Sequence, residues 1–208
     1  MSTSVAVVDY GMGNLHSIGK ALEHVGADVT ISADRDSIMS ADRVVFPGVG
    51  AIRDSMAELK RLHLAEVVKE AAATKPVLGV CLGMQAMLEF SEENGGIDCL
   101  GLIPGAVRHF ADRDELADLK IPHMGWNNVR QHASHPLWAD IPQDSRFYFV
   151  HSYYAAPTDT STISGSCLYG VEFAAVLARD NLFATQFHPE KSQVVGLKLL
   201  SNFLNWSP

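Results

Sequence analysis

The first ninety residues alternate between short β-branched runs and stretches of helical periodicity, and this alternation restricts the fold more than any other feature of the chain. The predicted strands are "VAVVDY" (5–10), "DVTIS" (28–32), "DRVVFPG" (42–48) and "KPVLGVCL" (75–82). The predicted helices are "NLHSIGKALEHVGA" (14–27), residues 51–73 with a break near His63, and "GMQAMLEFSEE" (83–93). Strands that alternate with helices indicate an α/β fold with an open, mostly parallel sheet and helices on both faces.

After Gly95 the helical periodicity fades, and Gly, Pro, Asn and Asp separate short apolar runs. These runs are predicted strands that extend the sheet and make it mixed: "GAVRHF" (105–110), "NNVRQH" (127–132), "RFYFVHSYYA" (146–155), "FAAVLARD" (173–180) and "LFATQFHPE" (182–190). The segment "SQVVGLKLLSNFLNW" (192–206) is a predicted amphipathic helix with Val195, Leu199 and Phe203 on one side. A change of layer near Gly95, with no linker or repeat, indicates one domain over 1–208.

Composition excludes several classes of function. A formal charge of −8 without a cluster of Lys or Arg argues against a nucleic-acid partner. The three cysteines are far apart and lack the paired spacing of zinc sites, so we expect reduced thiols, no metal site and a cytoplasmic location. No apolar run reaches membrane-spanning length, and no membrane association or export is expected. "GMGNLH" (11–16) lacks the third glycine of a dinucleotide fingerprint, and no organic cofactor is expected.

The segment "GVCLGMQ" (79–85) places Cys81 between two glycines, directly after an apolar strand. Glycines in this arrangement allow a sharp strand-to-helix turn that exposes a nucleophile. The N-terminus of the following helix would support a thiolate, and the backbone N–H of Leu82 would point towards a developing oxyanion. The alternative is a buried cysteine that only packs in the core.

The segment "FHPEKS" (187–192) supplies the base that a nucleophile needs. Pro189 fixes the backbone between His188 and Glu190, and alternation along an extended segment brings both side chains to the same side. The carboxylate can orient the imidazole, which in turn accepts the thiol proton. Alternatively, His188 is an ordinary surface histidine and Glu190 a helix-capping acid. The occurrence of this segment together with the cysteine turn favours catalysis.

At these residues the chain resembles the class I glutamine amidotransferases, since "FPGVGA" (46–51), "GVCLGMQ" and "FHPEKS" occur in that family's order. The resemblance implies a flavodoxin-like fold and glutamine as the substrate. It also implies that Cys81 forms a glutamyl thioester, that His188 is the general base and acid, and that Glu190 orients His188. The glutamine pocket it implies is bordered by Gly48, Val49, Gly50, Leu82, Gln85, Glu93, His151, Ser152 and Tyr153. Glu92 remains an alternative to Glu93, because sequence does not define the register of that loop.

"DYGMGNLHS" (9–17), "PHMGWN" (122–127) and "YFVHSYY" (148–154) narrow the resemblance to the glutaminase subunits of imidazole glycerol phosphate synthase. In that family the glutaminase forms a heterodimer with a (β/α)8-barrel cyclase of histidine biosynthesis and passes ammonia to it. The resemblance implies a partner interface that contains Asn14, Trp126, Asn127, Tyr148 and Lys191. Taken alone, aromatic residues near a pocket are more often core residues than interface residues, and without the resemblance the core interpretation is favoured.

Three classes of function remain compatible with the sequence. The first is a glutaminase subunit that supplies ammonia to a cyclase. The second is the glutaminase of a different synthase, or a free γ-glutamyl hydrolase, with the same Cys81, His188 and Glu190. The third is a non-enzymatic subunit on the same fold, which would be indifferent to Cys81→Ser. A peptide flip in "PGVG" (47–50) could gate the reaction, because glycine makes such a flip easy.

Overall fold

The computed structural model describes residues 2–112 and 119–208. The strands are β1 (Ser4–Val8), β2 (Asp28–Ser32), β3 (Arg43–Gly48), β4 (Val77–Cys81), β5 (Leu88–Ser91), β6 (Ile97–Asp98), β7 (Ile103–His109), β8 (His123–Gln131), β9 (Ser145–His151), β10 (Tyr153–Pro157), β11 (Ile163–Tyr169), β12 (Val171–Arg179) and β13 (Leu182–Thr185). The helices are α1 (Leu15–His24), α2 (Arg35–Ser40), α3 (Ile52–Arg61), α4 (Leu64–Thr74), α5 (Leu82–Ala86) and α6 (Gln193–Asn205).

The sheet has a parallel half and a mixed half. In the parallel half the order is β2-β1-β3-β4-β13, and the sheet continues as β12-β10-β7-β5-β6. β12 runs antiparallel to β13, and β11 leads from β12 to the antiparallel pair β8 and β9. The predicted open, mostly parallel mixed sheet is confirmed.

Alternating side chains of the central strands build two hydrophobic clusters, one on each face of the sheet. On one face Val5 and Val7 of β1 pack with α1 and α6, and on the other face Ala6 and Val8 pack with α2, α3 and α4. The predicted break near His63 is present, because this residue has φ +57° and separates α3 from α4. No helix among the described residues is long and apolar enough to cross a membrane.

The helix predicted over 83–93 is wrong in extent. Helix α5 ends at Ala86, and Leu88–Ser91 form β5, which pairs with β6 and β7. A short apolar run fits a helix or a strand, and here pairing with the distant β7 decides for the strand. Three elements were not predicted: α2, which is too short to show a period; β6, which has two residues; and β11, whose "ISGSCLY" is rich in small and polar residues.

The carboxyl ends of β1, β3, β4 and β13 meet at one edge of the parallel half. In open α/β sheets, the crevice outside these ends is where ligands bind. The glycine-rich segments after β1 and β3, the cysteine at the end of β4 and the histidine that follows β13 therefore converge on this edge.

Candidate active site

Cys81 lies in the sharp turn between β4 and α5. Its backbone has φ +55° and ψ −110°, a conformation that non-glycine residues rarely adopt. A Cβ atom at Gly83 would overlap the carbonyl oxygen of Phe46, so β3 can approach α5 this closely only with glycine there. The chain therefore has the strained strand-to-helix geometry of a nucleophile elbow, with its sulfur at the edge of a cleft.

The cleft has a volume of about 380 Å³, which is sufficient for a small substrate. Every predicted substrate residue except Gly48 borders it, together with the predicted catalytic Cys81 and His188. The complete lining is Val49, Gly50, Cys81, Leu82, Gln85, Glu93, Pro122, Val150, His151, Ser152, Tyr153, His188 and Lys191.

Gly48 lies buried behind the cleft, beside Cys81 in the pairing of β3 with β4. The Tyr10 hydroxyl occupies the position that a Cβ atom at residue 48 would take, and it donates a hydrogen bond of 2.9 Å to the Pro47 carbonyl. Gly48 thus allows the close packing that brings Val49 and Gly50 to the cleft. Gly50 has φ +96°, a backbone conformation that favours glycine.

His188 and Glu190 form a buried pair in the turn after β13. The Nδ1 atom of His188 lies 2.8 Å from the Glu190 Oε1 atom, and both side chains are only 3% exposed. The Ser192 hydroxyl donates to the His188 carbonyl oxygen at 2.6 Å and accepts the Tyr148 backbone N–H at 3.0 Å. The turn is thereby held against β9, and the imidazole keeps a defined orientation.

The surroundings of His188 favour the protonated, positively charged form of its imidazole. Burial lowers its pKa, but the interactions with Cys81 and Glu190 outweigh burial and raise the pKa from 6.5 to about 10. The imidazole therefore carries a proton at neutral pH. An imidazolium next to a thiol stabilises the thiolate form, which is the nucleophilic one.

Gln85 is 3% exposed, and its side-chain NH₂ is engaged within the protein. Nε2 donates to the Tyr153 carbonyl at 2.9 Å and to the Gln186 Oε1 atom at 3.0 Å. An amide nitrogen has two hydrogens, so this NH₂ is fully used without a substrate. Gln85 also borders the cleft, and its predicted contact with the amide or α-amino end of the substrate stays a prediction.

Glu93, rather than Glu92, faces the cleft. Its Oε2 atom accepts the Ile52 backbone N–H at 3.3 Å, and burial raises the pKa of its carboxyl group. Glu92 instead lies 3.9 Å from Arg108 on the surface. The structure thus places Glu93 at the cleft, while its contact with the substrate stays a prediction.

His151 borders the cleft as a neutral ring. The Tyr153 carbonyl, 2.8 Å away, can only accept, so Nδ1 carries the hydrogen. Nε2 therefore accepts from the His123 Nδ1 atom at 3.0 Å, and the His123 Nε2 atom accepts from the Asn127 amide at 3.3 Å. Burial lowers the pKa of His151 to about 3 and that of His123 to about 4. Both ring nitrogens of His151 are used, so the ring supports Tyr153.

Most predicted interface residues share the surface beside the cleft. Trp126 is 37% exposed and makes an edge contact with Tyr148, while the Lys191 ammonium lies 5.9 Å from the Tyr148 ring centroid. Asn14 is exposed at the start of α1, where its side chain accepts the Ser17 N–H at 3.3 Å. Asn127 differs, because strand alternation turns it away from Trp126 and its amide donates to the Leu168 carbonyl at 3.0 Å.

Sequence reasoning missed Gln186, His123 and Ser192, which are buried polar residues around the cleft. Their available signal was a polar residue inside or beside an apolar strand in motifs that were otherwise recognised, "TQFHPEKS" and "PHMGWN". Helix α5 has only five residues, so its N-terminus supports a thiolate at Cys81 less than predicted. Among the described residues, no group of three or more His, Cys, Asp or Glu could hold a metal ion.

Comparison with known proteins gives consistent matches over the whole chain. Residues 6–206 match the family described as "Glutamine amidotransferase class-I". The chain is 60% identical to the imidazole glycerol phosphate synthase subunit HisH of Methylococcus capsulatus, over 99% of this chain and 98% of the relative. It is 56% identical to the subunit of the same name from Acinetobacter baylyi, over 99% of both chains.

Solved structures are similar in fold at low sequence identity. A glutamine amidotransferase of known structure has a TM-score of 0.74 at 13% identity, over 97% of both chains. The structure of PurLQS from Thermotoga maritima gives a TM-score of 0.75 at 18% identity, over 99% of both chains. These similarities bear on the fold, and the predicted α/β fold is confirmed.

Proposed function

The chain belongs to the class-I glutamine amidotransferases, within the family of HisH subunits of imidazole glycerol phosphate synthase, and from this premise we propose that it hydrolyses glutamine with a Cys81-His188-Glu190 triad. We further propose that it passes the ammonia to a separate (β/α)8-barrel cyclase subunit of histidine biosynthesis. The free cysteines of the chain are compatible with the reducing cytoplasm proposed as its location.

One observation carries the proposal: a strained cysteine and a buried His–Glu pair lie on one cleft. Cys81 and His188 both border it, and the His188 Nδ1 atom lies 2.8 Å from the Glu190 carboxylate. A nucleophile, a base and a group that orients the base are the three parts of a triad, whatever their order in the chain.

In the first half of the proposed reaction, the Cys81 thiolate attacks the side-chain amide carbon of glutamine. The raised pKa of His188 keeps its imidazole protonated near neutral pH, and this proton goes to the departing nitrogen. Ammonia leaves, and a glutamyl thioester remains on Cys81. Glu190 stabilises the imidazolium throughout, because its carboxylate is buried against the ring.

In the second half, neutral His188 takes a proton from water, which attacks the thioester carbon. The sulfur leaves as a thiolate, glutamate is released and the imidazolium is restored. In both halves the backbone N–H groups of Leu82 and Val49, which border the cleft, are the proposed oxyanion donors. Removing one such donor costs on the order of 100-fold in turnover.

Gly50 is the proposed switch of this oxyanion site. At φ +96°, its present conformation is strained for any residue with a Cβ atom. Gly50→Ala therefore shifts the loop towards its alternative conformer, and Gly50→Pro excludes the present one, since proline requires φ near −65°. We expect both changes to alter the factor by which the partner stimulates hydrolysis, and an unchanged factor would count against the switch.

The surface beside the cleft fits the proposed heterodimer. Lys191 borders the cleft and contacts Tyr148, which in turn contacts Trp126. Aromatic residues beside a basic one are frequent anchors of protein interfaces, and the proposed exit for ammonia lies beside them. A partner that covers this mouth keeps ammonia from being protonated and lost in solvent.

The test is glutamine hydrolysis by the purified chain in three mixtures: without a partner, with the cyclase, and with the cyclase plus its nucleotide ligand. Cys81→Ser is the inactive control, and Cys167→Ser is its matched control, because Cys167 is also buried but does not border the cleft. We expect hydrolysis that requires the loaded partner and is lost only in Cys81→Ser.

Other results would redirect the proposal. Equal hydrolysis with and without the cyclase would indicate a free γ-glutamyl hydrolase. Stimulation only by the partner from another synthase would indicate a different pathway. Glutamine hydrolysis that survives Cys81→Ser would refute the triad itself.

A further inference from the structure

A buried amide side chain, Gln186, contacts the sulfur of Cys81 from behind the cleft. It directly follows β13, is 0% exposed and does not border the cleft. Its Nε2 atom lies 3.8 Å from the Cys81 Sγ atom, within hydrogen-bonding range of sulfur. Burying an amide is unfavourable unless its hydrogen-bonding capacity is used, so the partners of this group define its role.

The orientation of the Gln186 amide follows from its neighbours. The Tyr153 carbonyl can only accept, so Gln85 must present Nε2 to it at 2.9 Å. The same Nε2 atom lies 3.0 Å from Gln186, which must therefore present its oxygen to Gln85. The Gln186 NH₂ consequently faces the sulfur, and Cys81 receives a donor rather than an acceptor.

The anchoring carbonyl is itself held from the other side. Tyr153 also accepts from the His151 Nδ1 atom at 2.8 Å, and His151 is bonded in turn to His123. The amide contact to the sulfur is therefore the last member of a continuous network that begins on β8.

We propose that Gln186 is a catalytic residue of the proposed glutaminase reaction: its Nε2–H donates to Cys81, stabilises the thiolate and holds the sulfur in position for attack. Gln85 is the positioning residue that sets the direction of this donor. The inference rests on the proposed function, to which it adds a fourth side chain at the reacting atom.

The other groups around the sulfur do not duplicate this role. The Val150 carbonyl, 4.0 Å from the sulfur, can accept from a thiol but disfavours a thiolate. The titratable groups that act on Cys81 are His188, with Glu190 behind it, and Tyr10. Only His188 among them supplies a positive charge, and its proton leaves during catalysis, whereas the Gln186 donor is neutral and permanent.

The test measures the alkylation of Cys81 by iodoacetamide against pH, read by peptide mass spectrometry in the full-length chain. Gln186→Met removes the donor at similar volume, and Gln85→Glu offers Gln186 an acceptor that turns its NH₂ away from the sulfur. Thr185→Val is the matched control, because this buried hydroxyl donates to the Phe187 carbonyl. Relative to wild type, we expect the midpoint pH for alkylation to rise by about one unit or more in both glutamine variants. The Thr185→Val control should keep the wild-type midpoint.

Glutamine turnover in the presence of the partner provides the second measurement. We expect kcat to fall about 10-fold or more in Gln186→Met with KM unchanged, because the residue lies outside the cleft. Gln186→Asn keeps an amide but withdraws it from the sulfur, so it should show the same fall in kcat as Gln186→Met. It replaces Gln186→Met if the methionine variant does not fold.

The two hypotheses fail in distinguishable ways. Normal alkylation midpoints and normal kcat in folded glutamine variants, beside an active wild type, would overturn the role of Gln186 alone. A wild type that never hydrolyses glutamine would overturn the proposed function, while the alkylation midpoints would still decide whether Gln186 stabilises the thiolate.

Discussion

Lowering the pH from 7 to 5 should destabilise this fold through His151, which is buried and neutral. Its pKa is lowered to about 3, chiefly by burial, whereas the same side chain in the unfolded chain titrates near 6.5. Between these two values the unfolded state binds the proton and the folded state does not. Stability is therefore lost as the pH falls below 6.5.

The size of the effect follows from linkage. From pH 7 to pH 5 the unfolded histidine gains about three-quarters of a proton while folded His151 gains almost none, which costs about 2 kcal/mol of unfolding free energy. His188 has the opposite sign. Its raised pKa of about 10 gives a contribution that is complete below pH 6.5 and is lost as the pH rises through 10. Comparing wild type with a His151 variant cancels this contribution.

The assay is urea unfolding of wild type, His151→Gln and His24→Gln at both pH values. Glutamine keeps a donor and an acceptor in the chain of hydrogen bonds but does not titrate, and His24 is exposed at the end of α1. We expect wild type and His24→Gln to lose about 2 kcal/mol more than His151→Gln on acidification. Equal losses in all three proteins would show that His151 is not held neutral, and the reasoning would be refuted.

Three other changes have defined outcomes. Gly83→Ala should lower the unfolding free energy by about 3 kcal/mol in urea, because its Cβ atom would overlap the Phe46 carbonyl oxygen; a cost under about 1 kcal/mol would contradict the close packing. Glu190→Gln should reduce kcat on the order of 100-fold and move the basic limb of the pH profile to lower pH, since His188 loses a group that raises its pKa; an unmoved limb would argue against the pair. Trp126→Ala should weaken cyclase binding by about 2 kcal/mol in calorimetry, whereas Ile31→Ala, on the edge strand β2, should not.

The sequence predicted those elements of the fold and site that depend on residues close together in the chain. Hydrophobic runs with periods of two and 3.6 residues report burial against neighbours, so the strands β1 to β4 and the helices α1, α3 and α4 were predicted. Residues 83–93 were misread, because the choice between helix and strand there depends on β7. Such a short run does not carry information about a partner strand that lies further along the chain.

The same division applies to the candidate site. The segments "GVCLGMQ" and "FHPEKS" contain their own turn chemistry, so the sequence by itself determined Cys81, His188 and Glu190 as the candidate triad and the family that goes with it. The hydrogen-bonding partners of Gln186 and His151 lie on other strands and helices. Only the tertiary structure decided them, because a buried polar group is satisfied by whatever packing brings within about 3 Å, and that packing is a property of the whole fold.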